Sequence, residues 1–363
     1  MFALGMADNI RGPLFLDLID YFKLSNTQAS LSFASTSGFA FFGNWISGKI
    51  LKWVSLSSLL IHSLFMMALA LILMGIAQNF NLYLFGAAIF GLSMGLLGVA
   101  QNLLVAENMD GPHQTKALSG LHGLYGFSSL VAPFAASYAP RLLGPWRSAF
   151  YVTGGVAVLV FLFSFVIKPR EMIVHQKTFE KGQKVSSYTS LLVFGGILAF
   201  YAMAENLISS RLAMYMRIYF DKDLRESSLY VTYFFSFLLL GRALFATKKF
   251  STSLRLQLNI LLFLSVVSLL LGLMLHPFFL AVTGLTMAAY YPLGIAYLSE
   301  HTHLQKRSYI TFALGFQNLC LICMHLGVGY LTDAFGLFYA FGVGLISLVL
   351  ASVCLNFHPR VVS

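Results

Sequence analysis

A chain of 363 residues that is 58% hydrophobic and only 10% charged, with a mean hydropathy of +0.79, carries too much apolar surface for a water-soluble domain and must be solvated by lipid. The formal net charge of +10 raises nucleic acid as a partner, but the cations fall between apolar runs rather than along one face, which excludes that reading. No nucleophile, base and orienting group can be assembled at a recognisable spacing, so no enzyme, cofactor or metal site is expected.

Hydrophobic runs predict an all-α membrane protein of twelve spans, at about 1–22, 27–50, 54–77, 80–105, 115–138, 147–168, 189–214, 227–247, 254–275, 277–299, 307–330 and 335–357. Span 1 holds Met6-Ala7-Asp8-Asn9-Ile10 followed by Arg11. Asp8 and Arg11 are three apart, so they share a helix face and can neutralise each other; the other reading puts both on a cavity, with Arg11 reaching across to span 7. A segment with two charges reads as a span, not as a cleavable signal. Its start at Met1, only seven residues ahead of Asp8, reads as an initiation site assigned late.

Span 4 contains Asn102, an amide able to donate and accept toward a polar solute. It also contains Gly91-Leu-Ser93-Met-Gly95, which matches the nucleophile-elbow spacing but has no strand before it, so close helix packing explains it. In span 5, His122 sits among Ser119, Gly120, Gly123 and Gly126, either as a hydrogen-bonded structural group or as a proton relay. Residues 169–188 then form the long polar stretch of the chain, expected to be a cytoplasmic linker between a six-helix bundle over 1–168 and a second over 189–363.

The second bundle repeats the first. Met203-Ala204-Glu205-Asn206-Leu207 echoes the span 1 cluster, and Tyr21-Phe22 and Gly43-Asn44 recur 198 residues later as Tyr219-Phe220 and Gly241-Arg242. Matching acids in the two halves of a parallel repeat point to a transporter with its site between the halves. An ionised side chain at the bilayer centre costs about 2.5–3.5 kcal/mol on insertion scales, so Glu205 and Asp8 are expected to bind the coupling proton. Asn9, Arg11, Asn102, His122, Tyr125, Asn206, Tyr291, Gln317 and Asn318 are expected to meet the solute, the tyrosines (with Tyr201 and Tyr290) as stacking faces. Arg211, six residues after Glu205, is expected to snorkel toward or gate the outer mouth. His301-Thr-His303 beside Glu300 reads as a solvated turn, and Cys320, Cys323 and Cys354 as small apolar side chains.

Lys49, Lys52, Lys116, the run from Lys168 to Lys184, Lys248, Lys249, Arg255, Lys306, Arg307 and Arg360 fall in alternate loops and the C-terminal tail. The opposite loops hold fewer cations, and Asp221, Asp223 and Glu226 offset those near Lys222 and Arg225. The bias predicts that both termini are cytoplasmic, with a bacterial inner membrane as the expected location.

Several strings resemble a known family. Phe22-Lys-Leu-Ser-Asn-Thr-Gln-Ala-Ser-Leu31, Ala100-Gln-Asn102, His122 with Gly126 and Pro133, Gly241-Arg242, Tyr290-Tyr-Pro292 and Gly329-Tyr-Leu-Thr-Asp333-Ala-Phe-Gly336 resemble landmarks of the major facilitator superfamily, and within it of the fucose-permease-like sugar:proton symporters. The resemblance spans the chain and implies two six-helix halves related by pseudo-symmetry, with Arg242 and Asp333 as gating residues. Departures are as informative: the fucose permease's acids in spans 1 and 4 align with Gly12 and Gly98, and Gly43-Asn-Trp-Ile-Ser-Gly-Lys49 lacks the usual loop acid. Fold therefore transfers and fucose does not.

The leading expectation is a proton-coupled, alternating-access transporter of a small polar solute such as a sugar. Its partners would be that solute, H⁺ and lipid, and it would act as a monomer. An exporter or exchanger of an anionic or amphipathic compound, or a non-transporting sensor on the same fold, remain as alternatives.

Overall fold

The structure, a computed structural model, describes residues 1–109, 111–167, 188–247, 251–302 and 306–357. The expected linker apart from Tyr188, together with Lys248, Lys249, His303 and Arg360, lies outside the described residues. The helices are α1 (Phe2–Asn9), α2 (Phe15–Phe22), α3 (Asn26–Ile50), α4 (Leu56–Ile76), α5 (Phe80–Asn108), α6 (Gly111–Leu143), α7 (Ser148–Ile167), α8 (Tyr188–Phe220), α9 (Leu224–Thr247), α10 (Leu254–Met274), α11 (Phe278–Met287), α12 (Tyr290–Thr302), α13 (Lys306–Phe335), α14 (Leu337–Ala340) and α15 (Gly342–Asn356). They make the twelve expected spans, because spans 1, 10 and 12 are each built of two helices.

The break in span 1 corrects the expectation of a continuous helix over 1–22. Pro13 has no N–H to give the carbonyl of Asn9, and its ring crowds that carbonyl, so α1 stops at Asn9 and α2 begins at Phe15. Gly12 serves a second purpose there: a Cβ on it would lie 2.9 Å from the carbonyl oxygen of Ser209. Spans 1 and 7 cross at that point backbone to backbone, leaving no room for the acid the fucose permease carries. Pro292 acts in the same way in span 10, freeing the carbonyl of Ala288 between α11 and α12.

Nine stretches among the described residues are long and apolar enough to cross a bilayer. Of the three spans that fall short, span 1 is broken into two short helices, and for spans 2 and 5 the reason lies in what covers them. The polar residues of α3 pack against α13, and those of α6 against α9, so they face the other half of the chain rather than lipid.

Duplication is also legible in the packing. A Cβ at Gly43 would sit 2.6 Å from the Leu92 carbonyl oxygen, and one at Gly241, its counterpart 198 residues on, 2.9 Å from that of Leu285. Small residues thus set the same close crossing of spans 2 and 4 and of spans 8 and 10. Gly91 and Gly95 meet Thr36 and Ala40 along the first of these seams, the packing role expected of the elbow-like string.

Candidate functional site

A cavity of about 250 Å³ lies where spans 1, 2, 7 and 11 converge. The break in span 1 delivers Asp8, Asn9, Arg11 and Gly12 to its wall; span 7 adds Asn206, Ser209 and Ser210, and span 11 adds Gln317, Asn318 and His325. Of the solute contacts expected from sequence, Asn9, Arg11, Tyr125, Asn206, Gln317 and Asn318 line this one cavity, as does Asp8. Asn102, His122, Glu205, Tyr291 and Arg242 do not.

Arg11 is nearly buried and fully engaged. One Nη donates to Asp8 Oδ1 at 2.5 Å and the other to Thr36 Oγ1 at 2.8 Å, while Nε reaches the Asp8 carbonyl at 3.3 Å. Thr36 is held in turn by the carbonyls of Ser32 and Ala87. The guanidinium also lies over the rings of Phe33 and Phe90, 4.8 and 5.0 Å from their centroids. Asp8 spends its second oxygen on the hydroxyl of Tyr125 at 2.7 Å. The ion pair is therefore local to span 1, and the alternative in which Arg11 reaches span 7 is corrected: its partners lie on spans 1 and 2.

Asn9 and Asn206 show the repeat at atomic scale. Each amide nitrogen donates back one turn along its own helix, Asn9 to the carbonyl of Gly5 at 2.8 Å and Asn206 to that of Ala202 at 2.9 Å. That leaves each amide oxygen free to accept, and Asn9 adds a donation to Ser129 across to span 5.

Glu205 sits apart from the cavity wall, in a different arrangement from Asp8. Among the described residues no cation lies within ion-pair distance of it. Instead Oε2 is 2.5 Å from the hydroxyl of Tyr201, which is also 2.7 Å from the carbonyl of Met287 at the end of α11. The neighbouring carbonyl freed by the break, that of Ala288, accepts from Arg242 Nε at 3.3 Å. Arg242 thus joins span 8 to the discontinuity of span 10. Tyr201 and Tyr290 stack on each other with centroids 4.4 Å apart and are both about 1% exposed, so the expectation that they offer faces to a sugar ring is corrected. Tyr291 donates to Gln317 Oε1 at 3.2 Å and orients that amide on the cavity wall. Asn102 bonds back to the carbonyl of Gly98 within its own helix, and His122 is exposed.

One end of the cavity is shut by polar contacts between the halves. Asp333, at the end of α13, accepts from the backbone N–H and side chain of both Asn26 and Thr27, at 2.6–2.9 Å. It caps the N-terminus of α3 alongside the capping box of Ser25 and Gln28, where the helix dipole favours a carboxylate. Arg217 grips Asp17 at 2.5 Å, and Arg141 meets Asp223 at 3.2 Å.

Sequence reasoning missed Thr36, Ser37, Ser209, Ser210 and His325 on the cavity wall, and misjudged Arg211. Arg211 does not snorkel: it is 1% exposed, with its guanidinium 3.7 Å from the Phe15 centroid and one Nη on Ser30 Oγ at 2.9 Å. The available signal was the stripe Ser30, Phe33, Ser37 and Phe41 on span 2, one helical face carrying hydroxyls among rings.

A model of the Major Facilitator Superfamily matches residues 1–281. Among curated proteins, the chain is 28% identical over 137 residues to the MFS-type transporter phomT of Diaporthe leptostromiformis, covering 36% of this chain and 22% of that one. It is 25% identical over 171 residues to the MFS-type transporter grgE of a Penicillium species, covering 45% and 29%. The matched part thus spans less than a third of the length of either relative. Among solved structures, a D-xylose-proton symporter superposes with a TM-score of 0.81 at 14% identity, over 99% of this chain and 95% of that one. A bacterial homolog to the human lysosomal transporter Spinster, inward-facing and unoccupied, gives 0.75 at 13% identity over 98% and 94%. At such identities the likeness is one of fold. With the family match over most of its length, the repeat and the cavity between its halves, the chain belongs to the major facilitator superfamily.

Proposed function

We propose that this protein is a proton-coupled secondary transporter that moves a small polar solute by alternating access of its two halves, with Glu205 as the proton-binding group. The observation that carries the proposal is the hydroxyl of Tyr201, which stands within hydrogen-bond distance of two oxygens but has one proton to give. If Glu205 is ionised, one of the three oxygens is left facing a lone pair. If Glu205 is protonated, it donates to Tyr201, which donates to Met287, and every oxygen is satisfied. Asp8 is arranged differently, because its two oxygens are taken up by Arg11 and by the hydroxyl of Tyr125.

Loss of the Glu205 proton breaks this chain at the carbonyl that ends α11, beside the one Arg242 holds, so protonation is linked to the discontinuity of span 10. A cavity of about 250 Å³ suits a sugar-sized solute better than a drug-sized one, which fills roughly 300–1,000 Å³. The solved relative named as a D-xylose-proton symporter agrees with this class. On the positive-inside bias, the end closed by Asp333 faces outward and both termini face the cytoplasm.

Reconstituted protein tests the reading. Solute-driven acidification of proteoliposomes is expected from the wild type with at least one member of a panel of sugars, polyols and small organic anions. Glu205→Gln is expected to bind and exchange the same solute while moving no proton. Proton movement that survives in Glu205→Gln, or that no solute elicits, would sink it.

A further inference from the structure

Behind the cavity wall, of which Phe33 and His325 are part and Arg211 is not, lies a charge the mechanism does not account for. Arg211 is 1% exposed, and among the described residues no carboxylate lies within ion-pair distance of it. One Nη bonds Ser30; the other is buried without a hydrogen-bond partner. His325, one turn of span 11 before Gly329, is 4% exposed, lines the cavity, and has a buried Nδ1 that is also without a partner. Both residues meet at the ring of Phe33, another wall residue: the His325 ring stacks on it at 4.9 Å and the Arg211 guanidinium lies 5.1 Å from its centroid. Arg11 contacts the same ring from its own ion pair with Asp8 and adds no net charge.

A buried cation lacking a counter-charge is far costlier than a paired one, and two orphaned polar groups at one ring multiply that cost. The Phe15 ring 3.7 Å away offsets part of it but supplies no counter-charge. An anion that enters beside Phe33 supplies that counter-charge and a partner for both orphaned groups. We infer that the transported solute carries an anionic group, a carboxylate or phosphate, bound by Arg211 and His325 beside Phe33 at the closed end of the cavity. The inference rests on the transport reading above and narrows its substrate to a sugar acid, sugar phosphate or comparable small organic anion. Guanidinium supplies a planar pair of donors to such a group, and the imidazole supplies a third. The amides of Asn206, Gln317 and Asn318 remain for the neutral hydroxyls.

Purified full-length protein in detergent can be titrated with D-glucuronate, inorganic phosphate and D-glucose while its thermal unfolding is followed. Both anions are expected to raise the midpoint saturably, and glucose, the neutral counterpart, to bind at least about tenfold more weakly, since a charged hydrogen bond is worth that much. Arg211→Met is expected to unfold at a higher temperature than the wild type when empty, because a stranded charge has been removed, and to lose about tenfold or more in glucuronate affinity. Should that variant not fold, His325→Leu strands no charge and is expected to weaken glucuronate by a larger factor than it weakens glucose. Equal binding of glucuronate and glucose, no shift with either anion, or full anion affinity in the folded Arg211 and His325 variants would overturn the inference. The two proposals fail separately. Proton uptake driven by a neutral sugar alone keeps the coupling and removes the anion; saturable anion binding through Arg211 with no proton movement does the reverse.

Discussion

Two arginines in this bundle are buried to similar depth in opposite electrostatic circumstances, and the difference comes from their helices. Arg11 follows a helix end, where Asp8 three residues back can reach it; Arg211 sits within an unbroken α8 with Ser30 as its hydrogen-bond partner. The Asp8–Arg11 pair was legible because a spacing of three is a local geometric fact. The burial of Arg211 was not, because it depends on α8 continuing nine residues beyond it to Phe220, about 13 Å of helix that pulls the charge away from the mouth. Glu205 was legible as an acid where acids are costly, whereas its partner Tyr201 was read as a stacking face. Tyr201→Phe tests the partnership. It leaves Glu205 and the Met287 carbonyl without a shared donor, so thermal unfolding in detergent is expected to show a loss of about 1–3 kcal/mol, the cost of a buried unsatisfied polar group. Solute-driven proton flux is expected to fall with it. An unchanged unfolding midpoint and flux would mean that the hydroxyl is not part of the proton site.

At the scale of elements, the twelve spans could be read from runs of apolar residues, but the breaks within spans 1 and 10 could not. Pro13 and Pro292 were in plain view. Many membrane helices absorb proline without breaking, as α6 does at Pro133 and Pro140, because neighbouring groups satisfy the freed carbonyls. What distinguishes Pro292 is the partners its break recruits, Arg242 from span 8 and Tyr201 from span 7, which no local pattern announces. The break is therefore argued to be a hinge held by two other spans. Pro292→Ala returns an N–H to the Ala288 carbonyl and competes with Arg242 for it. The variant is expected to gain about 1 kcal/mol or more in stability, since an interior proline costs up to about 3 kcal/mol, and to transport several-fold more slowly at unchanged solute affinity. Stability measured by thermal unfolding together with turnover in proteoliposomes checks both halves of that statement; wild-type turnover would show that the discontinuity is not a moving part.

For the whole molecule, the duplication was legible in Asp8 and Glu205, 197 residues apart, and in Tyr21 and Tyr219 and Gly43 and Gly241, each 198 apart, since gene-level repetition leaves residues at nearly one offset. Which end of the two-fold assembly is shut was not, because the contacts that close it join residues as far apart as Asn26 and Asp333. Those contacts are unequal. The Arg141–Asp223 pair is exposed and contributes little, whereas the half-buried Arg217–Asp17 pair and Asp333, which satisfies four donors at a helix N-terminus, are the contacts that hold the closed state. Allowing for its exposure, removing the Asp333 carboxylate costs the closed state about 1 kcal/mol, a shift of roughly fivefold toward the open one. The shift can be read at Ser30, which is buried in the seam where α3 faces Gly329 and becomes reachable only when that seam parts. With Ser30→Cys as the common background, Asp333→Ala is expected to raise the rate of maleimide labelling by about that factor, because a ligand-free two-state protein labels in proportion to its open population. Identical labelling rates in the two proteins would show that the closed state rests on the packing of α3 against α13 and on the Arg217–Asp17 pair, and that Asp333 is a helix cap with no part in gating.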